Sequence, residues 1–131
     1  MWRRPDPEVE AAWQRFLRFA RALDEGSRAL LAAIPSARRP GTPLEASVEG
    51  FLAGTAAARE ELPGWALPAL AAEHAASVTA LATAERRAIQ LPEVASDLAF
   101  EQRTEAIGEV LDELAPIQEA EQAFRTLRRR R

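Results

Sequence analysis

Val9, Trp13, Phe16, Ala20, Leu23, Ser27, Leu30 and Ile34 follow one another at alternating spacings of four and three. That rhythm traces one face of an α-helix, widened here by Leu17 and Leu31. Charges fall on the other faces, with Arg15, Arg18, Arg21 and Arg28 among them, and Asp24 sits four residues before Arg28. A second seam runs Leu44, Val48, Phe51, Thr55, Ala58, Leu62. A third runs Leu67, Leu70, His74, Ser77, Leu81, Ala84, Ala88, Leu91, with Val78 beside it. The last is weak at Val94, Leu98 and Phe100, then firm from Ile107 through Val110, Leu111, Leu114 and Ile117 to Phe124 and Leu127. Nowhere does apolar and polar alternate over a strand's length, so the pattern predicts helices alone.

Breakers set the boundaries. Asp6-Pro7 supplies a capping acid and a proline preset for the first turn. Pro35 closes the first helix, and three prolines with a glycine make residues 35–43 a loop. Thr42-Pro43-Leu44-Glu45 reads as a capping box opening the second helix. Gly50 and Gly54 lie inside that helix, where each costs about 1 kcal/mol relative to alanine, so close backbone packing is their expected reason. Pro63-Gly64 ends the second helix and Pro92 separates the third from the fourth. Pro116 predicts a kink, or a break with the proline opening a new helix. The helices predicted are therefore about 7–34, 43–62, 67–90 and 93–130. Segments of this length joined by short loops predict an all-α, antiparallel up-down four-helix bundle, a single domain over 1–131 with a long, proline-kinked C-terminal helix.

Composition narrows the chemistry. At 131 residues the chain can bury roughly two-thirds of its unfolded surface in one core. It has no Cys, so it offers neither disulfide, thiolate nucleophile nor thiolate zinc site. All 17 basic residues are Arg. Without Lys there is no phosphate-loop lysine and no Schiff base. One His cannot build a multi-histidine metal site. No apolar run reaches the roughly 18 residues of a membrane span, and Met1-Trp2-Arg3-Arg4-Pro5 leads into acids rather than an apolar leader, so a cytoplasmic protein with no membrane partner is expected. The absence of Lys, Asn and Tyr beside abundant Ala, Arg, Leu and Glu fits an AT-poor coding sequence.

Four features are candidates for function. His74, the lone histidine, falls on the third seam, either as a reactive group or as a core histidine satisfied by a neighbouring helix. Its setting, Glu73-His74-Ala75-Ala76-Ser77, lacks the Lys and Gly that follow the histidine of phosphotransfer bundles. Glu93, Asp97, Glu101, Glu105, Glu109 and Glu113 recur at every fourth position, with Asp112 adjacent. Carboxylates so placed suit hard cations, making Glu105, Glu109 and Asp112 weak metal candidates. Glu109-Val110-Leu111-Asp112 resembles one acidic element of bundle-type nucleotide pyrophosphatases, which use two on facing helices; no second is present. The simpler reading is a solvated acidic row that needs arginine neighbours, with Arg15, Arg18 and Arg21 as expected suppliers. The tail 125–131, holding Arg125, Arg128, Arg129, Arg130 and Arg131, with Arg3, Arg4, Arg38 and Arg39, offers phosphate contacts to nucleic acid. An isoelectric point near 5.3 speaks against a nucleic-acid domain, and cations also suit a helix C-terminus. Of the three tryptophans, Trp13 is placed in the core and Trp65 at a bundle end, while Trp2 either folds back or anchors a partner.

The reading that joins these is a non-catalytic helical interaction module: an accessory or assembly subunit with a protein partner or further copies of itself, no cofactor and no catalytic residue. Trp2, Phe124, Leu127 and the tail arginines are its interaction candidates, with Glu121 and Arg128 on the last seam implying that the helix end leaves the core. A nucleic-acid-associated subunit using the tail is the alternative, and a metal-dependent hydrolase using the acids of the fourth helix is the second.

Overall fold

A computed structural model describes residues 6–130, and these are all-α, without a strand among them. The elements are α1 (Pro7–Leu31), α2 (Leu44–Glu61), α3 (Ala71–Ala95), α4 (Phe100–Asp112) and α5 (Ala115–Arg129). Two short 3₁₀ turns, Leu62–Trp65 and Pro68–Leu70, link α2 to α3. None of the helices is long and apolar enough to cross a membrane.

The start of α1 follows the sequence. Asp6 Oδ1 accepts the amides of Glu8 (2.9 Å) and Val9 (3.4 Å), satisfying two of the donors that a helix start leaves open. The end comes three residues early, because Pro35 biases Ile34 away from helical backbone. Ala33 and Ile34 instead close back on Leu30 and Leu31. The buried face is also rotated. Phe19 and Gly26 are inside, while Ala20 and Ser27, which the spacing favoured, are only half-buried.

Three boundaries differ from expectation. Thr42 does not cap α2. Its amide donates to the Ala32 carbonyl at 2.8 Å, which draws it into the loop and leaves Pro43 as the capping residue without a side-chain bond. Pro92 does not separate two helices but lies within α3. The proline forfeits the bond its amide would have made to Ala88, yet Leu91 and Ala95 are buried on either side of it and hold the last turn in place. The separation falls instead at residues 96–99, where Ser96 Oγ and the Leu98 amide donate to the carbonyls of Glu93 and Ala95. The α3 helix proper also begins at Ala71 rather than 67, after the 3₁₀ turns. Pro116 does break the last segment, standing in the first turn of α5 after a turn at Glu113 and Leu114.

Small residues draw α1 and α2 together. A Cβ on Gly54 would lie 2.6 Å from the Gly26 Cα and 2.8 Å from the Ala22 carbonyl oxygen, and one on Gly50 would lie 2.7 Å from the Ala29 Cβ. The helices touch backbone to backbone here, which accounts for glycine in a helix interior. Further along the same pair Arg15 meets Glu61, so α1 and α2 run antiparallel. Glu85 of α3 accepts from Thr55 Oγ1 (2.9 Å) and pairs with Arg59, fixing α3 on α2.

Two clusters fill the interior. One collects Trp13, Phe16 and Phe19 from α1, Trp65 from the first 3₁₀ turn, and Phe124 from α5, with Leu70, Leu81 and Ile117 around them. The other is mainly aliphatic: Leu30, Val48, Phe51, Ala84, Ala88, Leu91, Ala95, Ile107 and Val110. Leu114, at the α4–α5 turn, packs against both. We call these the aromatic and the aliphatic halves.

Candidate interaction surface

The residues singled out by sequence are for the most part occupied with one another. His74 Nε2 lies 2.8 Å from the Leu62 carbonyl oxygen. A carbonyl only accepts, so this nitrogen carries the proton and donates it. The ring also meets Trp65 edge-on, with centroids 4.6 Å apart. His74 thus completes the end of α2 and seals Trp65 in. Trp65 itself is fully buried at this end of the bundle.

The acidic row is not one row. Glu93 belongs to α3 and Asp97 to the turn, while Glu101, Glu105, Glu109 and Asp112 stand on α4. Its arginine neighbour comes from α3 rather than α1: Arg87 lies 3.8 Å from Glu109 and 3.4 Å from Glu113. Among the described residues no group of three or more His, Asp or Glu side chains converges, so Glu105, Glu109 and Asp112 are not gathered into such a cluster.

The last turns of α5 pack against the core as far as Arg128. Phe124 is fully buried, stacking at an angle on Phe16 (5.4 Å) and edge-on to Trp13 (5.2 Å). Leu127 is half-buried against the same cluster. Arg128 grips Glu10 through two bonds of 3.0 Å and lies 4.6 Å above the Trp13 ring. Arg125 flanks that ring at 5.5 Å and reaches Glu121 at 3.4 Å. Seven residues separate Phe124 from Ile117, so both face inward, and the arginine one turn on meets α1 at its N-terminal end. Phe124 is therefore core rather than a docking anchor, and Arg125 and Arg128 belong to the α1–α5 contact. Arg129 and Arg130 are exposed. Trp2, Arg3, Arg4 and Arg131 lie outside the described residues.

The open apolar surface is at the other end. Among the described residues five large apolar side chains are exposed, and four of them, Ile89 (62%), Val94 (58%), Phe100 (53%) and Leu31 (46%), stand on helix stretches that build the aliphatic half. A cleft of about 420 Å³ opens between the α1–α2 loop and the α3–α4 turn. Ile34, Leu44, Pro92, Ala95 and Ile107 line it, Phe100 forms one wall, and Glu45 and Arg103 stand in it as the charged members. The α4 face that carries Phe100, Thr104 and Ile107 explains the shape. Ile107 is in the core, and two turns earlier the same face emerges from it at Phe100. Gln102 Oε1 accepts the Ala99 amide (3.2 Å) and Arg103 Nε donates to the Leu98 carbonyl (2.9 Å), holding the turn that presents Phe100. Sequence reasoning placed Phe100 on a weak seam and passed over it. Its signal was a phenylalanine at the open end of a helix whose later turns are buried.

Comparison with family models, with curated proteins and with solved structures finds no match to this chain.

Proposed function

We propose that this chain is a non-catalytic interaction module, an accessory or assembly subunit that docks a protein partner on the aliphatic end of its bundle. The observation that carries this is an apolar-lined cleft walled by Phe100, which is 53% exposed, while the opposite end seals its aromatic residues inside. Exposed apolar side chains scattered singly need no explanation, but a phenylalanine walling an apolar cleft marks a candidate surface for a partner to cover. The interaction surface thus moves from Phe124, Leu127, Arg125 and Arg128, which pack within the fold, to the cleft at the other end.

A photo-reactive residue at position 100 tests this in cells, with position 14 on the exposed side of α1 as reference. The expected result is discrete adducts of higher mass from position 100 and none from position 14. Absence of adducts from position 100, or equal labelling from both, overturns the reading.

A further inference from the structure

We infer that the occupant of this cleft is a basic amphipathic helix of a partner protein. The inference rests on the interaction-module reading above and names the chemistry of its partner.

The cleft lining holds one charge of each sign, Glu45 and Arg103, but the segments that carry it are acidic. The two segments that frame it, residues 35–49 and 92–107, contain Glu45, Glu49, Glu93, Asp97, Glu101 and Glu105 against Arg38, Arg39 and Arg103. That surplus of three equals the net charge of the whole chain, −3, so the remainder is neutral. The difference in pairing is sharper still. Elsewhere about half of the acids have arginine partners: Glu10 has Arg128, Asp24 has Arg28, Glu61 has Arg15, Glu85 has Arg59, Glu121 has Arg125, and Glu109 and Glu113 share Arg87. None of the six framing acids forms an ion pair among the described residues. Glu101 and Glu105 are spaced four apart on α4, and such like-charged neighbours on a helix repel. A cationic partner relieves that repulsion while covering the apolar wall.

Geometry favours a helix as the occupant. Strand addition needs a free sheet edge, and the described residues contain none. An apolar cleft between helix ends accepts instead the apolar stripe of another helix, read as anchors one and two turns apart. A second copy seated face to face would bring the six unpaired acids against their equals, and like-charge juxtaposition disfavours that pairing. The same acids repel nucleic acid and anionic lipid.

The test uses the isotope-labelled full chain and two synthetic 18-residue peptides, each with leucines on one helical face, one carrying Lys and the other Glu at the flanking positions. The lysine peptide is expected to shift amide resonances of residues 33–45 and 92–107 and to leave those around Trp65 and Phe124 unmoved. Phe100→Asp should weaken it about ten-fold, the loss of one apolar anchor. Raising sodium chloride from 50 to 300 mM should weaken it further, because exposed charges are screened. The double variant D97K/E101K should turn the preference toward the glutamate peptide. All substituted positions are exposed, and undisturbed resonances in the aromatic half confirm that the variants fold. Equal binding of both peptides, binding at another face, or a concentration-dependent dimer that occupies the same residues overturns the inference. Adducts from position 100 without a preference for the basic peptide overturn this inference alone, whereas absence of adducts from position 100 overturns the docking reading with it.

Discussion

The aromatic and aliphatic halves solve the same packing problem by opposite means. The aromatic half fills its interior with five large rings, set mainly at tilted or edge-on angles: Phe16 meets Trp65 at 4.9 Å and 90°, and Phe19 meets Trp65 at 5.2 Å and 55°. Such pairs contribute about 0.5–1.5 kcal/mol beyond the area they bury. The aliphatic half uses short side chains, Ala84, Ala88 and Ala95 on α3 among them, with Phe51 as its one aromatic. Between the two, α1 and α2 touch at Gly26 and Gly54. One end is therefore held by what its side chains fill, and the waist by what its side chains leave out. The filled end is closed. The other ends in short chains around an open cleft, and the proposed docking surface lies there.

The comparison breaks first where volume is removed from the filled end. Phe16→Ala should cost about 3–5 kcal/mol, as transfer energy and the cavity left behind add together. The loss is read as a lower urea midpoint at unchanged slope. A cost below about 1 kcal/mol would mean that the rings do not bear on stability as their packing implies. At the waist the failure runs the other way. Gly54→Ala improves helix propensity but sets a methyl group against backbone on both sides, so a net loss of about 1–3 kcal/mol is expected, measured by the same titration. A gain in stability would show that the two helices part easily.

The clasp between the chain ends is weaker. Glu10→Gln removes the charge facing Arg128 in a pair that is about one-third exposed on each side. A loss of about 0.5–1 kcal/mol is expected, shrinking at high salt. A loss that salt leaves unchanged would assign the effect to packing on Trp13. Smallest of all, Phe100→Ser at the cleft wall should change stability by less than about 0.5 kcal/mol. Thermal unfolding decides it, and a large loss would make Phe100 a core residue and weaken its assignment to docking.

The pattern of the chain disclosed the helical class, the loop at residues 35–43, the Asp6 cap, the glycine contact on α2 and the break at Pro116. Each of these is written locally, in a spacing or a breaker. What stayed hidden depends on partners far along the chain. Gly26 reads as a weak point in α1 until Gly54 is set against it. Arg128 reads as a solvated cation until Glu10, 118 residues away, is beside it. A spacing of four and three also describes a face that drifts by about 20° per heptad on a straight helix, which is why Ala20 and Ser27 were favoured over Phe19 and Gly26. Pro92 misled for another reason. A proline near the end of a helix costs a bond, and burial of Leu91 and Ala95 outweighs that local signal. The cleft was the least legible feature, since it is made by the relation between two turns rather than by any motif in either.

The position of Phe124 and Arg128 gives the order of synthesis a role. Trp13 and Phe16 leave the ribosome more than a hundred residues before Phe124, the ring that covers them. Helices α1 and α2 can pair as soon as both have emerged, while the aromatic half stays open until α5 is free. A transcript cut short before α5 would thus yield a chain with Trp13, Phe16 and Trp65 uncovered. Such a chain is marked for aggregation or degradation, and arrival of α5 is what closes the aromatic half.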